Sequence, residues 1–503
     1  MKRAALSDLS AASLDVLVVG GGIYGIMATR DAALRGLRVA LVERDDFGGE
    51  TSHNSLKIMH GGIRYVQHLD FGRLRASARE RAFWQAAAPD LSRPLDFIIP
   101  LFGHGIRGPG AFAAAAKLYA LASTGLRGPG YGGAGIVLPR TARRQLGDLA
   151  PEGLSGGGVW RDGQIQDMNR LHLSALRSAA DHGAQLANHV EVLSLVREGN
   201  AVTGARLRDT LSGDEVLVRA GVTICCAGAA TPDLAEHAIP GASAHFPGFA
   251  RAMNIVVDRP APDRAMGIVS QSRADAVVDR GGRMYFVTPW QGRMIIGTQE
   301  DPAPDRVARN TADLGPFLKD LAQAAPALGL TEKDVLWVHQ GLIPAETDDG
   351  PGGVKRMTKG TLIDHADADR TLGLISVVGV KYTTARLIAE RAITRACVQL
   401  GREDAAAKAP LSFDTPLAQV GAEVTSDTDL QVQERLHAAF ETEMAMTLAD
   451  AVIRRTRLAE RGDIGAGGVD RLTRLATEAL GWDEGRATRE RDGLARELAA
   501  STP

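Results

Sequence analysis

Residues 16–43, VLVVGGGIYGIMATRDAALRGLRVALVE, constrain the fold of this chain more than any other segment. They begin with an apolar, β-branched run, which is typical of a strand buried on both faces. Gly20, Gly22 and Gly25 then give G-x-G-x-x-G at the start of a helical pattern, and a second apolar run ends at Glu43. Such glycines let the backbone approach a pyrophosphate, and a carboxylate at this offset binds an adenosine ribose. The sequence therefore predicts a βαβ unit that binds an ADP-containing dinucleotide.

The segments after this unit distinguish between dinucleotides. The carboxylate of Glu43 would repel the 2′-phosphate of NADP. A simple NAD domain would repeat the βαβ pattern, whereas residues 168–228 have the pattern of a helix, a β-meander and a return strand. This continuation favours FAD, and it adds Val190 and Gly228 to the candidate cofactor-binding residues. A purely structural βαβ unit is the alternative.

Composition and charge exclude several classes of protein. The net charge of −2, from 58 basic and 60 acidic residues, provides no overall field for nucleic acid. Only three cysteines occur, and neither Cys225 nor Cys226 has a histidine or cysteine at metal-ligand spacing, so we expect no disulfide and no metal. The sequence shows no secretory signal and no run of about eighteen apolar residues, which predicts a cytoplasmic protein without a spanning helix.

The distribution of patterns predicts an α/β fold in three parts. These are an FAD-binding Rossmann-like domain, an antiparallel-sheet substrate domain and a C-terminal all-helical domain. An Ala-rich segment near residue 111 predicts a helix that packs in a lobe or lies on a surface, and its short length favours packing. The predicted ranges are 1–90, 151–235 and 346–404 for the FAD-binding domain, 91–150 and 236–345 for the substrate domain, and 405–503 for the helical domain.

Four motifs follow one another along the chain and together resemble one family of flavoproteins. They are the glycine-rich βαβ segment, TSHNSLKIMHGGIRYVQH, FVTPWQGRMIIGTQED and VVGVKYTTARLIAE. Together they resemble the FAD-dependent glycerol-3-phosphate dehydrogenases, within the D-amino-acid-oxidase-like superfamily, over essentially the whole chain. The resemblance implies oxidation of a secondary alcohol, glycerol 3-phosphate or a related polyol phosphate, to the ketone by hydride transfer to FAD. It also implies that electrons pass to a quinone or a similar acceptor.

The resemblance assigns roles to two loops near the cofactor. Thr51 and Ser52 would lie along the FAD pyrophosphate, and Ser55 and Lys57 would line the flavin side, with His53 in the same loop. In the second loop the candidate residues are Gly379, Lys381 and Thr383. A side chain at 383 or 384 would cap the following helix, so that its positive end faces residues 379–381.

The resemblance also indicates residues for catalysis. Arg64 follows a glycine pair and would present a bidentate cation to a substrate phosphate or carboxylate. Lys381 would lie beside the flavin and stabilise negative charge that develops there. The alcohol proton needs a general base, for which His60 is the first candidate because its imidazole has a suitable intrinsic pKa. Lys381 and His53 are alternative bases.

The sequence departs from the family pattern at three places. Where the family carries Gly-x-Arg-Pro, the side chain here is Ile343, and Lys359 replaces a second arginine. Both changes weaken a phosphate site and leave the exact substrate open. The third departure, at residues 53–55, resembles L-2-hydroxyglutarate dehydrogenases, so an FAD-dependent 2-hydroxy acid dehydrogenase or oxidase is an alternative function. A flavin-binding protein without turnover is an alternative from another class.

The family resemblance extends to partners other than the substrate. Quinone-linked members lie on the membrane, so peripheral contact with the inner face of the cell membrane is an expectation. Residues 101–128 are the candidate segment for this contact, although they contain few cations for binding anionic lipid. We also expect that the protein can form a homodimer. We expect no nucleic-acid partner.

Overall fold

The computed structural model describes residues 1–502 except 104, 106, 107, 127, 129, 271–283, 307–313, 348–353, 358, 421–427, 463 and 466. The strands of the described residues, in chain order, are β1 (Leu14–Val19), β2 (Val39–Val42), β3 (Ile58–Met59), β4 (Ser92–Phe102), β5 (Gly135–Val137), β6 (Leu154–Ile165), β7 (Gln185–Ala187), β8 (Val190–Glu198), β9 (Ala201–Asp209), β10 (Glu215–Cys225), β11 (Gly248–Val257), β12 (Ala265–Val269), β13 (Met284–Trp290), β14 (Arg293–Pro302), β15 (Val335–Thr347), β16 (Val354–Arg356), β17 (Thr361–Asp364) and β18 (Leu374–Val378).

The α-helices of the same residues are α1 (Leu6–Ala11), α2 (Ile23–Leu34), α3 (Phe71–Ala87), α4 (Pro109–Ala122), α5 (Pro139–Leu146), α6 (Met168–Asp181), α7 (Thr231–Ala238), α8 (Leu314–Ala324), α9 (His365–Ala368), α10 (Ala385–Gln399), α11 (Glu403–Ala406), α12 (Leu411–Asp414), α13 (Asp429–Thr442), α14 (Leu448–Ala451), α15 (Gly468–Leu480) and α16 (Glu484–Ala499). A 3₁₀ helix covers Ile63–His68, and a π-helical turn covers Val452–Thr456.

Eight strands form the first sheet, in the order β17-β18-β10-β1-β2-β7, with β8 and β9 extending from β10. β1 pairs in parallel with both β10 and β2, and its apolar side chains are buried, as predicted for a central strand. The antiparallel pairs β8–β9 and β9–β10 confirm the predicted meander. Helices α2, α6 and α10 pack on one face of this sheet, and α1 and α7 on the other. The arrangement confirms the Rossmann-like part of the fold.

Ten strands form the second sheet, in the order β16-β15-β11-β14-β13-β12-β4-β6-β3, with β5 beside β6. Strands β11 to β15 pair antiparallel, which confirms the predicted antiparallel sheet. Strands β3, β6 and β16, however, come from segments that we assigned to the FAD-binding domain. β6 is 12 residues long and pairs with β4 along its whole length. Pairing between such distant segments leaves no trace in local periodicity.

The C-terminal region is helical, as predicted. Helices α13, α15 and α16 pack with Trp290 and Trp337 of the second sheet in one buried cluster. Helices α11 and α12 contact α10 and α2 instead, so the region touches both sheets. Among the described helices, none is long and apolar enough to cross a membrane.

A buried ion cluster fixes the C-terminal helices to the loop after β2. The carboxylate of Asp46 accepts hydrogen bonds from Arg454 Nε at 2.6 Å, from Arg455 Nη1 at 2.7 Å and from Asn188 Nδ2 at 2.9 Å. Burial opposes ionisation of Asp46, but the charges of Arg455 and Arg454 outweigh it and hold its pKa below the usual value. Both arginines lie in the π-helical turn, a rare element that presents them side by side.

Asp46→Ala is expected to lower the free energy of unfolding by about 3–5 kcal/mol, because it removes the carboxylate of the buried Arg455 and leaves Arg454 with Asp450 alone. Urea denaturation followed by tryptophan fluorescence measures this change. The neighbouring Asp45 is a matched control, since its side chain is exposed and pairs with Arg44 at the surface. Asp45→Ala should change the free energy by less than about 1 kcal/mol. Equal effects of the two substitutions would contradict the assignment.

Candidate active site

A cavity of about 1250 Å³ is lined by residues of both sheets. Its volume is above the roughly 300–1000 Å³ of a typical small-ligand pocket, so it admits an elongated ligand. One end lies at the carboxyl ends of β1 and β2, where ligands bind in open α/β sheets. The predicted residues on its wall are Gly20, Gly22, Glu43, Thr51, Ser52, Ser55, His60, Arg64, Val190, Gly228, Gly379, Lys381 and Thr383.

The glycines of the βαβ unit create the close packing at this end. Gly20 has φ of +98°, and a Cβ there would lie 2.6 Å from the backbone oxygen of Cys226. A Cβ on Gly25 would lie 1.9 Å from the backbone oxygen of Gly20, so only glycine allows α2 to start this close to β1. A Cβ on Gly22 would meet only the side-chain oxygen of Ser52, at 3.1 Å. Gly20 and Gly22 therefore leave the backbone open to the cavity.

Glu43 and Ser52 are the polar side chains beside this turn. The carboxylate of Glu43 accepts hydrogen bonds from the backbone N–H of Gly21 at 2.6 Å and of Asp45 at 2.9 Å. Burial raises the pKa of Glu43 above its usual value. Ser52 Oγ accepts from the N–H of Ile23 at 2.8 Å, at the N-terminus of the 12-residue helix α2. A carboxylate at the strand end and a hydroxyl at the helix N-terminus are suited to a ribose and a pyrophosphate.

Tyr24 positions the turn after β18 on the opposite wall, and we did not identify it from the sequence. Its Oη donates to the backbone oxygen of Lys381 at 2.7 Å and accepts from the N–H groups of Val380 and Lys381. Burial raises the pKa of Tyr24 to about 12, so this hydroxyl stays neutral. A Cβ on Gly379 would lie 2.3 Å from the Tyr24 ring, which explains the glycine there.

The helix cap predicted at this turn is wrong. Tyr382–Thr384 form a 3₁₀ turn, and α10 begins only at Ala385. Thr384 occupies the N-cap position, but its side chain makes no capping hydrogen bond. The backbone oxygen of Thr383 accepts from Trp84 Nε1 at 2.9 Å, so this threonine is fixed by α3.

His60 and Asp162 form a hydrogen-bonded pair on the wall contributed by the second sheet. Asp162 Oδ2 lies 3.3 Å from His60 Nδ1, and its Oδ1 accepts from the N–H of Gly61 and from Arg81 Nη1. Burial opposes ionisation of Asp162, but the hydrogen bond with His60 and the charge of Arg81 hold its pKa below the usual value. A permanent carboxylate at Nδ1 favours the tautomer in which His60 Nε2 is free to accept a proton. We did not identify Asp162 from the sequence, because β3–β6 pairing, not spacing, brings it to His60.

Cationic side chains surround Tyr65 at the same end of the cavity. Lys381 Nζ lies 3.9 Å from the centre of the Tyr65 ring, and Arg73 Cζ lies 5.1 Å from it. Arg64 precedes Tyr65 and also lines the cavity. Burial, together with the charge of Arg64, lowers the pKa of Lys381 to about 7. This region is therefore suited to an anion, and binding of an anion would restore the charge of Lys381.

Besides Gly25, which lies at the contact between α2 and β1, three residues that we predicted for the site are not on the cavity wall. His53 and Lys57 are buried and contact Glu460 of the C-terminal region. Lys359 is exposed. The hydrogen bonds and the charge of Arg73 hold the pKa of Asp70 below its usual value, and the charge of Lys359 adds to this effect. Ile343, by contrast, lines the cavity, so an apolar side chain occupies that part of the wall.

The residues present fit FAD. A glycine cradle with a carboxylate and a helix N-terminus accommodates the ADP half, and the long cavity continues between the turn 379–381 and the second sheet. Apolar side chains at the far end, among them Trp160 and Phe286, suit a planar ring. When bound, FAD accepts a hydride from a substrate carbon.

Comparisons with known proteins agree with this fit. Residues 15–391 match the FAD dependent oxidoreductase family. The chain is 34% identical to glycerol-3-phosphate dehydrogenase 1 of Mycobacterium bovis over 414 residues, which cover 78% of this chain and 74% of that protein. The chain belongs to the FAD-dependent glycerol-3-phosphate dehydrogenase family. Another member of this family, from Synechocystis, is 28% identical over 95% of both chains. The protein is thus an FAD-dependent oxidoreductase.

A solved structure confirms the fold of this family member along its whole length. The glycerol-3-phosphate dehydrogenase from Bacillus halodurans, determined in complex with FAD, superposes with a TM-score of 0.71 at 21% identity and covers 99% of this chain and 96% of that one. The family assignment confirms the resemblance, the cofactor and the α/β fold predicted from the sequence. It does not favour the alternative of a 2-hydroxy acid dehydrogenase, which rested on residues 53–55 alone.

Proposed function

We propose that this enzyme oxidises glycerol 3-phosphate, or a closely related polyol phosphate, to the corresponding ketone. One observation supports this proposal above all. The FAD cavity is lined both by the Asp162–His60 pair and by cationic side chains, among them Arg64 and Lys381. The pair supplies a base for the alcohol, and the cations supply a binding site for the phosphate. The relatives at 28–34% identity are named glycerol-3-phosphate dehydrogenases, which supports this substrate class.

The phosphate would be bound around Tyr65 rather than at Ile343. Arg64 offers two parallel N–H donors, and Arg73 and Lys381 lie against the same ring. Because the side chain of Ile343 cannot form a hydrogen bond, we expect the phosphate to bind to these cations rather than beside Ile343. Lys359 is exposed and is not among the residues that line the cavity.

His60 Nε2 would accept the proton of the substrate hydroxyl while a hydride leaves the carbon that carries this hydroxyl. Asp162 would keep the proton of His60 on Nδ1 and stabilise the imidazolium that forms, so it is a positioning residue. Lys381 would stay protonated beside the bound phosphate and would stabilise negative charge that develops on the flavin ring. His53, an alternative base in the sequence analysis, has no route to the substrate because it does not reach the cavity wall.

Anaerobic mixing with candidate substrates tests the proposed function. Glycerol 3-phosphate should bleach the flavin absorbance, and an equal concentration of L-2-hydroxyglutarate or of glycerol should not. Asp162→Asn should keep FAD and substrate binding but lower the reduction rate and change its pH profile, because the tautomer of His60 is no longer fixed. Bleaching by 2-hydroxy acids alone would contradict the proposal, and absence of bleaching by any alcohol would indicate a protein without this turnover.

Binding of a phosphate inhibitor should weaken as the pH rises from 7 to 9. The pKa of Lys381 is lowered to about 7, so its cation is present below that pH and is lost above it. A phosphate monoester stays dianionic over this range, and each pKa unit of coupling corresponds to about a tenfold change in affinity. Inhibition constants measured for a non-oxidisable phosphate monoester should therefore rise severalfold in the wild type. Lys381→Met should give weak, pH-independent inhibition, whereas Lys359→Met should preserve the pH dependence.

We infer that the electrons pass to a quinone at a membrane surface. Support comes from an exposed apolar patch made by Leu69, Phe71, Leu118 and Leu121, of which Leu121 is 74% exposed. Arg75 Nη1 donates to the backbone oxygen of Ala122, and this bond joins the start of α3 to the end of α4. Only one face of α4, with Ala116 and Tyr119, is buried, so the helix lies on the surface rather than inside a lobe. An apolar patch of this kind suits shallow insertion into a bilayer.

Co-sedimentation with lipid vesicles tests the membrane contact. The double substitution Leu118→Glu and Leu121→Glu should reduce the bound fraction at least about fivefold, because two carboxylates would have to enter the interface. Leu430→Glu is the control, since Leu430 is 64% exposed on α13, outside the patch. Reduction of a soluble quinone analogue should be the same in all three proteins. Equal sedimentation of the variants would exclude the patch as the contact.

A further inference from the structure

A cluster of buried polar side chains outside the cavity has no part in the proposed function. Glu460 Oε1 lies 3.3 Å from His53 Nε2, 3.6 Å from His339 Nε2 and 2.9 Å from Lys57 Nζ. All four side chains are 3% exposed or less. The cluster joins three parts of the molecule: the loop between β2 and β3, strand β15 and the segment after the π-helical turn.

The orientation of His339 is the informative feature. Asn54 Nδ2 donates to the backbone oxygen of Glu50, so Asn54 Oδ1 is the atom that faces His339 Nδ1, at 3.1 Å. An amide oxygen can only accept, which fixes the proton of His339 on Nδ1 and a lone pair on Nε2. That lone pair points toward the Glu460 carboxylate, and within the described residues His339 Nε2 has no hydrogen-bond partner. A buried lone pair that faces a carboxylate stays unsatisfied unless a proton or a metal cation lies between the two groups.

The distances suit a transition metal. In a tetrahedral shell with bonds of about 2.0–2.1 Å, ligand atoms lie roughly 3.4 Å apart. Glu460 Oε1 has this separation from each of the two histidine nitrogens to within a few tenths of an ångström. The three ligand atoms all lie within 4.8 Å of one another. Asn169 Oδ1 lies 3.0 Å from His53 Nδ1, so both rings are held from behind by an amide, as metal-binding histidines usually are.

Lys57 is the group that competes with a metal. Its ammonium donates to the same oxygen of Glu460 and to the backbone oxygen of His53. A metal on Oε1 would require Lys57 to shift toward the other carboxylate oxygen. Substituting Lys57 by methionine removes the competing charge and should therefore strengthen metal binding.

We propose that His53, His339 and Glu460 bind one divalent transition-metal ion, with Zn²⁺ as the best match, in a structural site that links the C-terminal region to the cofactor-binding loop. Two imidazoles and a carboxylate favour zinc over magnesium or calcium, which prefer all-oxygen shells. We expected no metal from the sequence, and the three ligands, separated by 286 and 121 residues in the chain, show no ligand spacing that would reveal one. The proposal is independent of which substrate the enzyme oxidises.

Zinc content of the holoenzyme tests the proposal. FAD-loaded protein is dialysed against a chelator, incubated with Zn²⁺, passed through a desalting column and analysed by inductively coupled plasma mass spectrometry. We expect about one zinc per chain in the wild type, and at least about tenfold less in His339→Gln and Glu460→Gln at equal FAD content. His182→Gln is the control, because His182 lies at the C-terminal end of α6 and contacts the backbone oxygen of Ser178. Lys57→Met should retain zinc at lower free zinc concentrations than the wild type.

A second measurement does not depend on whether the variants fold. The zinc K-edge absorption spectrum of the loaded wild-type holoenzyme should show two imidazoles and at least one oxygen at about 2.0–2.1 Å. A spectrum with oxygen ligands alone, no retained zinc in the wild type, or equal zinc in the wild type and both ligand variants would each overturn the proposal. In those cases the cluster is a buried Lys57–Glu460 ion pair beside two histidines.

Discussion

Gly25→Ala is expected to produce a protein that retains little or no FAD. The added Cβ would lie 1.9 Å from the backbone oxygen of Gly20 and 3.1 Å from its carbonyl carbon. Neither atom belongs to a flexible side chain, so α2 has to move away from β1 and the turn that receives the pyrophosphate changes shape. Overpacking of this kind costs about 1–3 kcal/mol, which corresponds to roughly 5–150-fold weaker FAD binding if the cost falls on the bound state.

Flavin absorbance relative to protein absorbance, and the dissociation constant of FAD after resolution, measure the effect. Gly110→Ala is the matched control, because Gly110 lies within α4 and a Cβ added there would have no atom within 4 Å. That substitution should leave FAD content unchanged and should, if anything, stabilise the helix. Full FAD content in Gly25→Ala would show that the glycine turn tolerates a side chain and that our account of the dinucleotide cradle is wrong.

Arg64→Ala is expected to lower kcat/KM for glycerol 3-phosphate by about 10- to 150-fold while FAD content stays the same. The range corresponds to the roughly 1.5–3 kcal/mol that a charged hydrogen bond contributes. Arg64→Lys should lie between the wild type and the alanine variant, because it keeps the charge but loses the bidentate geometry. Anaerobic stopped-flow reduction of the flavin, at several substrate concentrations, separates binding from hydride transfer.

Lys359→Ala provides the contrast for this experiment. In the family pattern this position carries a phosphate-binding arginine, but here the side chain is exposed and lies outside the cavity wall. Its removal should change kcat/KM by less than about threefold, as expected for a screened surface charge. A larger effect at Lys359 than at Arg64 would contradict the proposed phosphate site.

The sequence predicted the parts of the molecule whose interactions are local. The βαβ unit, with Glu43 at its end, depends on strand and helix periodicity and on three glycines within six residues. Helix α3 (Phe71–Ala87) also begins with a local interaction, because the side chain of Asp70 accepts the N–H of Arg73 as a cap. Turn chemistry likewise predicted the meander that leads to Gly228.

Interactions between distant segments were not visible in the sequence. Asp162 reaches His60 only through the register that pairs Met59 with Gly163. Lys57 has the loop position expected of a flavin contact, yet its side chain turns to Glu460, about four hundred residues further along the chain. The exposed position of Lys359 likewise depends on the tertiary fold. Periodicity in the sequence indicates whether a residue is buried and in which type of element it lies. It does not indicate which buried charged side chains contact one another.

The loop between β2 and β3 is attached to the C-terminal helices at both of its ends, by Asp46 and by Lys57. Between these two anchors it carries Thr51, Ser52 and Ser55 to the cavity wall. FAD binding and the folding of the C-terminal region are therefore thermodynamically linked. A change that destabilises the C-terminal region should also weaken FAD binding, and the reverse should hold. Proteolytic nicking behind α13 should accordingly release yellow cofactor, and saturating FAD should protect distant C-terminal cleavage sites that the cofactor never touches.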